Sequence, residues 1–535
     1  MVSNKTNSLI SFILKTLFMN LLLISLSIVN YTGSVRAQSY SIKTILTSET
    51  VLVPGNDLRA TFIPVDSYTI SNNGDIVLLA GLSDGSVGLI RYSNRGIELL
   101  VKTVIAQTLN ENAFLDIGNV NINDKGEIFL FANYSGKTGL YKLFNNEIIP
   151  LYITGDPING LESTIERFLQ RAPSLNNNGE VAFPATLSDG NRGLFLFKEL
   201  EGVKAILIEG DQFSVSNGNE TLVIADEPTI NDKSEIVFRA AYFVNKMKKA
   251  AEEIFTGIFL YSNGKFIPIK LPFMEAPGTS GNVFLPNHLN RPYLGNNSQI
   301  IYLSRYCNPN VPANCNETTP IAGRPWGLFL WSEGNTVPLV LPGDPAPGTN
   351  GSTFVQQSSL LTIKAMNDFG DIAVWLRYDK VAGIFLLSDD KIVPVLLFEN
   401  PLFNKTERPF FTGPCGINNH GDIVFQGVLQ ELPPLAGLFL AVREDVPFEV
   451  IKIEPTKSIK DARLGINVTG TGFQPGATVS LSGNGIRVLK TNFKTSTNLV
   501  TKIFVVPTAE NGFRNITITN PTGETTILQK ALEIR

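Results

Sequence analysis

The chain has little of what most enzyme chemistry uses. Its 535 residues include two His, three Cys, five Met and three Trp. His288 and His420 stand far apart, so neither a His-built zinc site nor a His-based nucleophilic triad is visible. No CxxC spacing accompanies the Cys, so no metal site is expected. Charged residues make up only 17% and the net charge is −4, with no basic tract. Nucleic-acid binding needs a clustered basic face, so that partner is excluded. No phosphate-binding loop occurs. After residue 37 no apolar run reaches the ~20 residues of a membrane span, so none is expected after signal cleavage. What is present is 43% hydrophobic residues, 45 Gly, 31 Pro and 34 Phe. That composition marks a globular chain rather than a disordered one.

The N-terminus reads as an export signal. Lys5 and Lys15 precede an apolar run from Leu17 to Val29, and Val35-Arg36-Ala37 offers small residues at the two positions a signal peptidase reads. Cleavage after Ala37 is the expectation, with residues 1–37 removed and the protein secreted, periplasmic or at the cell surface. In an oxidising compartment Cys307 and Cys315 are expected to pair as a local disulfide, with Cys415 left as a small buried residue.

A two-part phrase recurs seven times. Its first half is an Asn-rich turn before an apolar strand: Asn72-Asn73-Gly74-Asp75-Ile76, Asn123-Asp124-Lys125-Gly126-Glu127-Ile128, Asn176-Asn177-Asn178-Gly179-Glu180-Val181, Asn231-Asp232-Lys233-Ser234-Glu235-Ile236, Asn296-Asn297-Ser298-Gln299-Ile300, Asn367-Asp368-Phe369-Gly370-Asp371-Ile372 and Asn418-Asn419-His420-Gly421-Asp422-Ile423. The second half is a Gly-Leu/Ile-Phe-Leu type, at Gly88, Gly139, Gly193, Gly257, Gly327, Gly383 and Gly437. Asn, Asp and Gly accept turn geometries that other residues avoid, and the alternation that follows has period two, so each phrase predicts a hairpin. Successive turns are 52, 53, 55, 64, 72 and 51 residues apart. A unit near 50 residues suits a four-stranded blade, with strands a to d. The expectation is an all-β fold: a seven-bladed β-propeller over residues 38–446, with an open β-solenoid as the rival. The seventh copy lacks a fourth strand, and Ile42-Lys43-Thr44-Ile45-Leu46 can supply it, closing the ring and removing exposed edges. The pattern resembles the repeats of uncharacterised secreted bacterial proteins of propeller type, over residues 40–443.

Beyond Pro447 the repeat stops and short strands alternate with turns, which predicts a β-sandwich over residues 447–535. Thr469-Gly470-Thr471-Gly472-Phe473-Gln474-Pro475-Gly476-Ala477 and Asn520-Pro521-Thr522-Gly523 resemble the immunoglobulin-like IPT/TIG domain over residues 448–535. The resemblance implies a cell-surface or accessory module, with Phe473 anchoring its core.

Length variation points to a face. From turn to internal Gly the distances are 14, 13, 14, 23, 29, 13 and 16, whereas from that Gly to the next turn they are 38, 40, 41, 41, 43 and 38. The insertions therefore fall between strands b and c. One is residues 245–253, where Lys248/Glu252 and Lys249/Glu253 predict a short helical excursion. The other holds the two paired Cys, then Arg324 and Trp326. Gly-Asp loops at Asp156, Asp211 and Asp344 connect strands d and a on the same rim. Asp156, Asp211, Asp344, Arg324 and Trp326 are thus candidate contacts for a glycan, a protein ligand or Ca²⁺, against the plainer role of Asp in closing its own turn. The functional expectation is a non-catalytic exported binding or adhesion protein. A carbohydrate-active enzyme using rim carboxylates and a structural envelope component are the alternatives.

Overall fold

The third repeat shows how one phrase becomes one sheet. Ser174–Leu175 runs into the Asn176 turn and pairs with Val181–Leu187, which pairs with Arg192–Lys198, which pairs with Gly202–Ile208; Ile165–Phe168 extends the inner edge. Every pairing is antiparallel. The Val181–Leu187 strand is buried along its whole length, not on alternate residues. Its two faces pack on different neighbours, which is why the sequence reads as a near-continuous apolar run. The outer strand, Gly202–Ile208, mixes buried and exposed positions as a partly solvated strand should.

The internal glycine is a packing device. A Cβ on Gly193 would stand 2.8 Å from the Phe195 ring and 2.9 Å from the Leu207 carbonyl. The Phe two residues on folds back over the glycine and stacks on its cross-strand partner. Phe183–Phe195, Phe238–Phe259, Tyr302–Phe329 and Phe425–Phe439 repeat that stack at 5.6–6.0 Å between centroids. Just past this point the outer strand slips register in all seven sheets, as between Leu194 and Phe195. Pro150, Pro268, Pro338 and Pro394 sit opposite the ring of the repeat aromatic on these outer strands. Pro and bulges on an edge block further strand pairing.

In this computed structural model the described residues are 40–535, apart from 48–50, 54–56, 63–67, 105–112, 170–172, 215–218, 245–253, 290, 312–314, 316–323, 350, 356–362, 380, 389–390, 398–413, 430–434, 444–447, 474–475, 496 and 521–523. They form a β-propeller-like all-β fold, built from strands. Seven sheets of four to six strands lie between Tyr40 and Arg443. The innermost strands touch in a cycle: Tyr68–Ile70, Phe114–Ile122, Ser174–Leu175, Asn219–Ile230, Tyr293–Leu294, Ile363–Met366, Pro414–Ile417 and back to Tyr68–Ile70. The N-terminal strand Tyr40–Thr47 pairs antiparallel with Leu435–Arg443, from Tyr40↔Arg443 to Thr47↔Gly437, as the outer strand of the last sheet. Ile45 and Leu46 are buried there.

Two further sheets follow. One has strand order Glu449–Glu454, Ala462–Thr471, Asn498–Val505, Ile486–Thr495; the other has Lys457–Ser458, Thr525–Ile534, Gly512–Thr519, Thr478–Leu481. They enclose one core that includes Ile466, Val468, Leu499, Ile516 and Leu532. Phe473 is 1% exposed in that core, and a Cβ on Gly470 would collide with its ring. Asn520 Nδ2 donates to the Gly472 carbonyl at 2.9 Å, joining the two phrases noted in the sequence. The export signal, the predicted helical excursion at 245–253 and the side chains of His288 and Cys415 lie outside the described residues.

Candidate functional site: the two rims of the ring of sheets

Strand order puts the Asn turns on one rim and the b–c and d–a loops on the other, because neighbouring strands are antiparallel. The turns themselves follow one scheme. Asn176 Oδ1 accepts from the amides of Asn178 and Glu180, and its Nδ2 donates to Glu180 and to the Asn231 carbonyl of the next sheet. The turn glycine has positive φ, and Ser234 and Ser298 adopt the same region at φ 60° and 64° where Gly is replaced.

The second position of each turn, which follows Ser71 in the first copy, Gly295 in the fifth and an Asn in the others, forms a ring through all seven sheets. Asn72 N donates to Asp124 Oδ1 (2.8 Å), Asp124 N to Asn177 Oδ1 (3.0 Å), Asn177 N to Asp232 Oδ1 (2.8 Å) and Asp232 N to Asn296 Oδ1 (2.8 Å). Asn296 Nδ2 donates to Asp368 Oδ1 (2.7 Å), Asp368 N to Asn419 Oδ1 (3.0 Å), and Asn419 N to Asn72 Oδ1 (2.8 Å). No two Asp are neighbours in the ring, Asn419 and Asn72 being the one pair of like residues, so each carboxylate meets carboxamide donors and not another carboxylate. Asp368 Oδ2 accepts from Asn72 and Asn419, and Asp232 Oδ2 from Asn177 and Asn296. All these donors are neutral. Burial, and then the charges of Asp232 and Asp124, push the Asp368 carboxyl above its ordinary range, against the pull of the Asn donors. A cavity of about 220 Å³ lies at this ring, lined among others by Asn72, Asp124, Asn177, Tyr293 and Asp368.

The next acidic residue of each turn is treated differently. Asp75 pairs with Arg91, Glu127 with Lys142 and Glu180 with Lys198, each base coming from strand c of the same sheet. Hydrogen bonds from Lys198, Ser234 and Asn176 outweigh burial and lower the Glu180 pKa. These three outer acids are thus neutralised by bases, Glu235 accepts from Asn231, Ser262 and Ser298, and the three ring Asp are held by amides.

On the opposite rim, the predicted contact residues fall into two groups. Asp156, Asp211 and Asp344 each direct Oδ2 to the amide three residues back: Ile153 (2.8 Å), Ile208 (2.8 Å) and Leu341 (2.7 Å). Their side chains close their own turns. In the fourth copy Met274 Sδ takes the Leu271 amide at 3.3 Å, and Phe273 adopts φ 62° where Gly343 has 98°. Arg324 and Trp326 are interior residues, 3% and 1% exposed. Trp326 Nε1 donates to the Val355 carbonyl at 3.2 Å, which braces the fifth sheet against the following loop. The disulfide joins Cys307 to Cys315 with Cα atoms 5.4 Å apart, tying the loop that leaves strand b of the fifth sheet.

Two features escaped the sequence reading. Gly81-Leu82-Ser83-Asp84-Gly85 has the Gly-x-Ser-x-Gly spacing of a hydrolase nucleophile loop. Here it is the b–c turn of the first sheet: Ser83 Oγ accepts from the Arg59 amide and Asp84 pairs with Lys102. Leu187-Ser188-Asp189-Gly190 makes the same turn in the third sheet, with Ser188 Oγ accepting from Thr164. The other is a charged cluster on the inner strand of the fourth sheet. Arg239 grips Asp226 through Nε (2.9 Å) and Nη2 (2.8 Å), with Glu227 at 3.7 Å. Glu227 has φ 54° at a register shift, a strained non-glycine position of the kind that collects at functional sites. Its sequence signal was Asp226-Glu227-Pro228 inside an apolar strand. Among the described residues no group of three His, Cys, Asp or Glu side chains is placed to hold a metal, and no helix is long and apolar enough to cross a membrane.

Residues 15–218 match a family of unknown function, DUF7453. No curated protein matches the chain. Among solved structures, a PL25 polysaccharide lyase, an ulvan lyase bound to -[GlcA(1-4)Rha3S]-, is 9% identical over 75% of this chain and 97% of that one, with a TM-score of 0.38. The Dos1 propeller is 9% identical over 75% of this chain and 95% of that one, with a TM-score of 0.31. The GH93 α-L-arabinofuranosidase of Fusarium graminearum, in complex with arabinobiose, is 9% identical over 62% and 93%, with a TM-score of 0.28.

Proposed function

We propose that the chain is an exported binding protein: a seven-bladed propeller closed by its N-terminal strand, an IPT/TIG-like sandwich after it, and one ligand face on the rim of the b–c and d–a loops. The observation that carries this reading is the difference between the rims. On the Asn-turn rim the polar groups of the ring bond one another from sheet to sheet. The other rim holds both long insertions, one tied by Cys307–Cys315. Loops set on a rigid scaffold are where recognition concentrates. The Gly-Asp turns and the buried Trp326 then shape that face, with ligand contacts coming from the loops they hold.

A glycan or a protein is the ligand class that fits an exported scaffold of this size with a net charge of only −4. Residues 38–535 should be screened on a glycan array and, in parallel, against soluble polysaccharides for product release. Binding without turnover supports the proposal. Release of oligosaccharides from any polymer replaces it with the carbohydrate-active reading. No binding to glycans or to envelope fractions leaves only the structural role and overturns it.

A further inference from the structure

One turn residue breaks the repeat. The position after the ring residue is Asn73, Lys125, Asn178, Lys233, Asn297, Phe369 and His420 in the seven copies. In three copies it reaches the next sheet: Asn73 and Asn178 donate to the carbonyls of Asp124 and Asp232, and Lys233 Nζ donates to Ser298 Oγ; Asn297 and His420 bond Gln299 and Asp422 within their own turns. Phe369 can do none of this. An aromatic ring at a turn tip is a loss unless something covers it. Its ring stands 6.2 Å from that of Phe493, tilted by 39°.

Phe493 belongs to Ile486–Thr495, the edge strand of the first C-terminal sheet. That strand also carries Arg487, Lys490 and Lys494, and exposed Val488 and Leu489. The rim beside Phe369 carries the carboxylates of Asp124, Asp232 and Asp368, which among the described residues accept from carboxamides and backbone amides and pair with no Lys or Arg. A basic edge strand and an acidic ring are complementary, and an edge strand set against a rim is closed to pairing with other chains.

We propose that the C-terminal pair of sheets docks on the Asn-turn rim, with Phe369 as its anchor and the basic Ile486–Thr495 strand turned to the acidic ring. The chain thereby caps one end of its own ring of sheets and leaves the insertion-bearing rim outward.

The test is the docked fraction in the full chain. Phe369→Asn installs the residue that three other copies carry as Asn73, Asn178 and Asn297, so the turn keeps its chemistry and only the anchor is lost. Cleavage after Glu444 by glutamyl endopeptidase under native conditions should accelerate about fivefold, the loss expected for one partly exposed aromatic pair. The scattering radius should increase, while the unfolding midpoint of the seven sheets stays in place. Phe493→Ser should do the same, and the double variant should add nothing to either single change. Lys490→Glu with Lys494→Glu should also release the pair, and Lys233→Asn, at the equivalent turn of the fourth sheet, should not. Wild-type cleavage and scattering in Phe369→Asn, or effects of Phe369→Asn and Phe493→Ser that simply add, would overturn the docking.

Discussion

Lys270 is the least comfortable residue in the ring of sheets. It ends the outer strand Lys265–Lys270 of the fourth sheet and is fully buried against the fifth. Its Nζ donates to the Leu285 carbonyl at 2.7 Å and stands 5.7 Å from the centre of the Phe284 ring. Among the described residues no carboxylate pairs with it. Burial alone lowers its pKa from 10.5 to about 7. Between those values the unfolded chain binds the proton and the folded chain does not, so stability rises with pH across the window. At 1.36 kcal/mol per unit, the depression costs the fold about 4 kcal/mol at pH 7, and about 2 kcal/mol of that returns by pH 9. Lys270→Met keeps the side-chain volume and removes the amine. It also strips the Leu285 carbonyl of its donor, a loss of about 1–2 kcal/mol. The net expectation is a variant more stable by about 2 kcal/mol at pH 7, with a flatter pH dependence. Urea unfolding at pH 7 and pH 9, followed by the fluorescence of Trp326, Trp331 and Trp375 in the fifth and sixth sheets, measures both quantities. A Met variant less stable than wild type at pH 7, or one with an unchanged pH slope, refutes the reasoning.

Closure of the last sheet gives a second test. Leu46, 1% exposed on the N-terminal strand, should cost about 3 kcal/mol as Leu46→Ala, read from the urea midpoint. If Tyr40–Thr47 were a loose appendage, the midpoint would not move. Gly193→Ala places a methyl against the Phe195 ring and the Leu207 carbonyl, and should cost about 1–3 kcal/mol in the same assay. A neutral result would mean that the aromatic stack yields freely. Asp368 has a raised folded pKa, so the folded ring holds its proton more tightly than the unfolded chain does. The stability this proton gives is present in acid and is lost as pH rises through that pKa. Asp368→Asn should remove that part of the pH dependence, and an identical pH profile in variant and wild type would count against a strained carboxylate.

The repeat unit was legible because each half has a local cause. Asn and Gly announce a turn whatever surrounds them, and the apolar run after them announces a strand. The missing fourth strand of the last copy was legible by subtraction, and Tyr40–Thr47 fills it. The ring of Asn72, Asp124, Asn177, Asp232, Asn296, Asp368 and Asn419 was not, although each residue was in view. Each of its bonds joins turns about 50 residues or more apart, and within one copy Asn and Asp at that position look interchangeable. The Gly of the second half was also misjudged by silence. Its role is the space above it, which only the fold-back of Phe195 reveals. Arg324 and Trp326 read as rim residues because they follow an insertion, yet the strand they open runs at once into the interior.

Departures from the repeat are more informative than the repeat. Where a copy changes residue and keeps its bond, only structure is at stake: Met274 replaces an Asp and still takes the turn amide, and Ser234 replaces a Gly and still makes the turn. Where a copy changes residue and loses the bond, something outside the copy must account for it. Ser71 and Gly295 stand where five copies have Asn; the Ser71 hydroxyl is buried beside the ring cavity with no hydrogen-bond partner among the described residues. Phe369 gives up the sheet-to-sheet bond that Asn73 and Asn178 make and takes a ring contact with the C-terminal sheets instead. The first kind of change is drift within a fixed geometry. The second marks the places where this scaffold meets something other than itself, and Phe369 is the one for which the counterpart is already in contact.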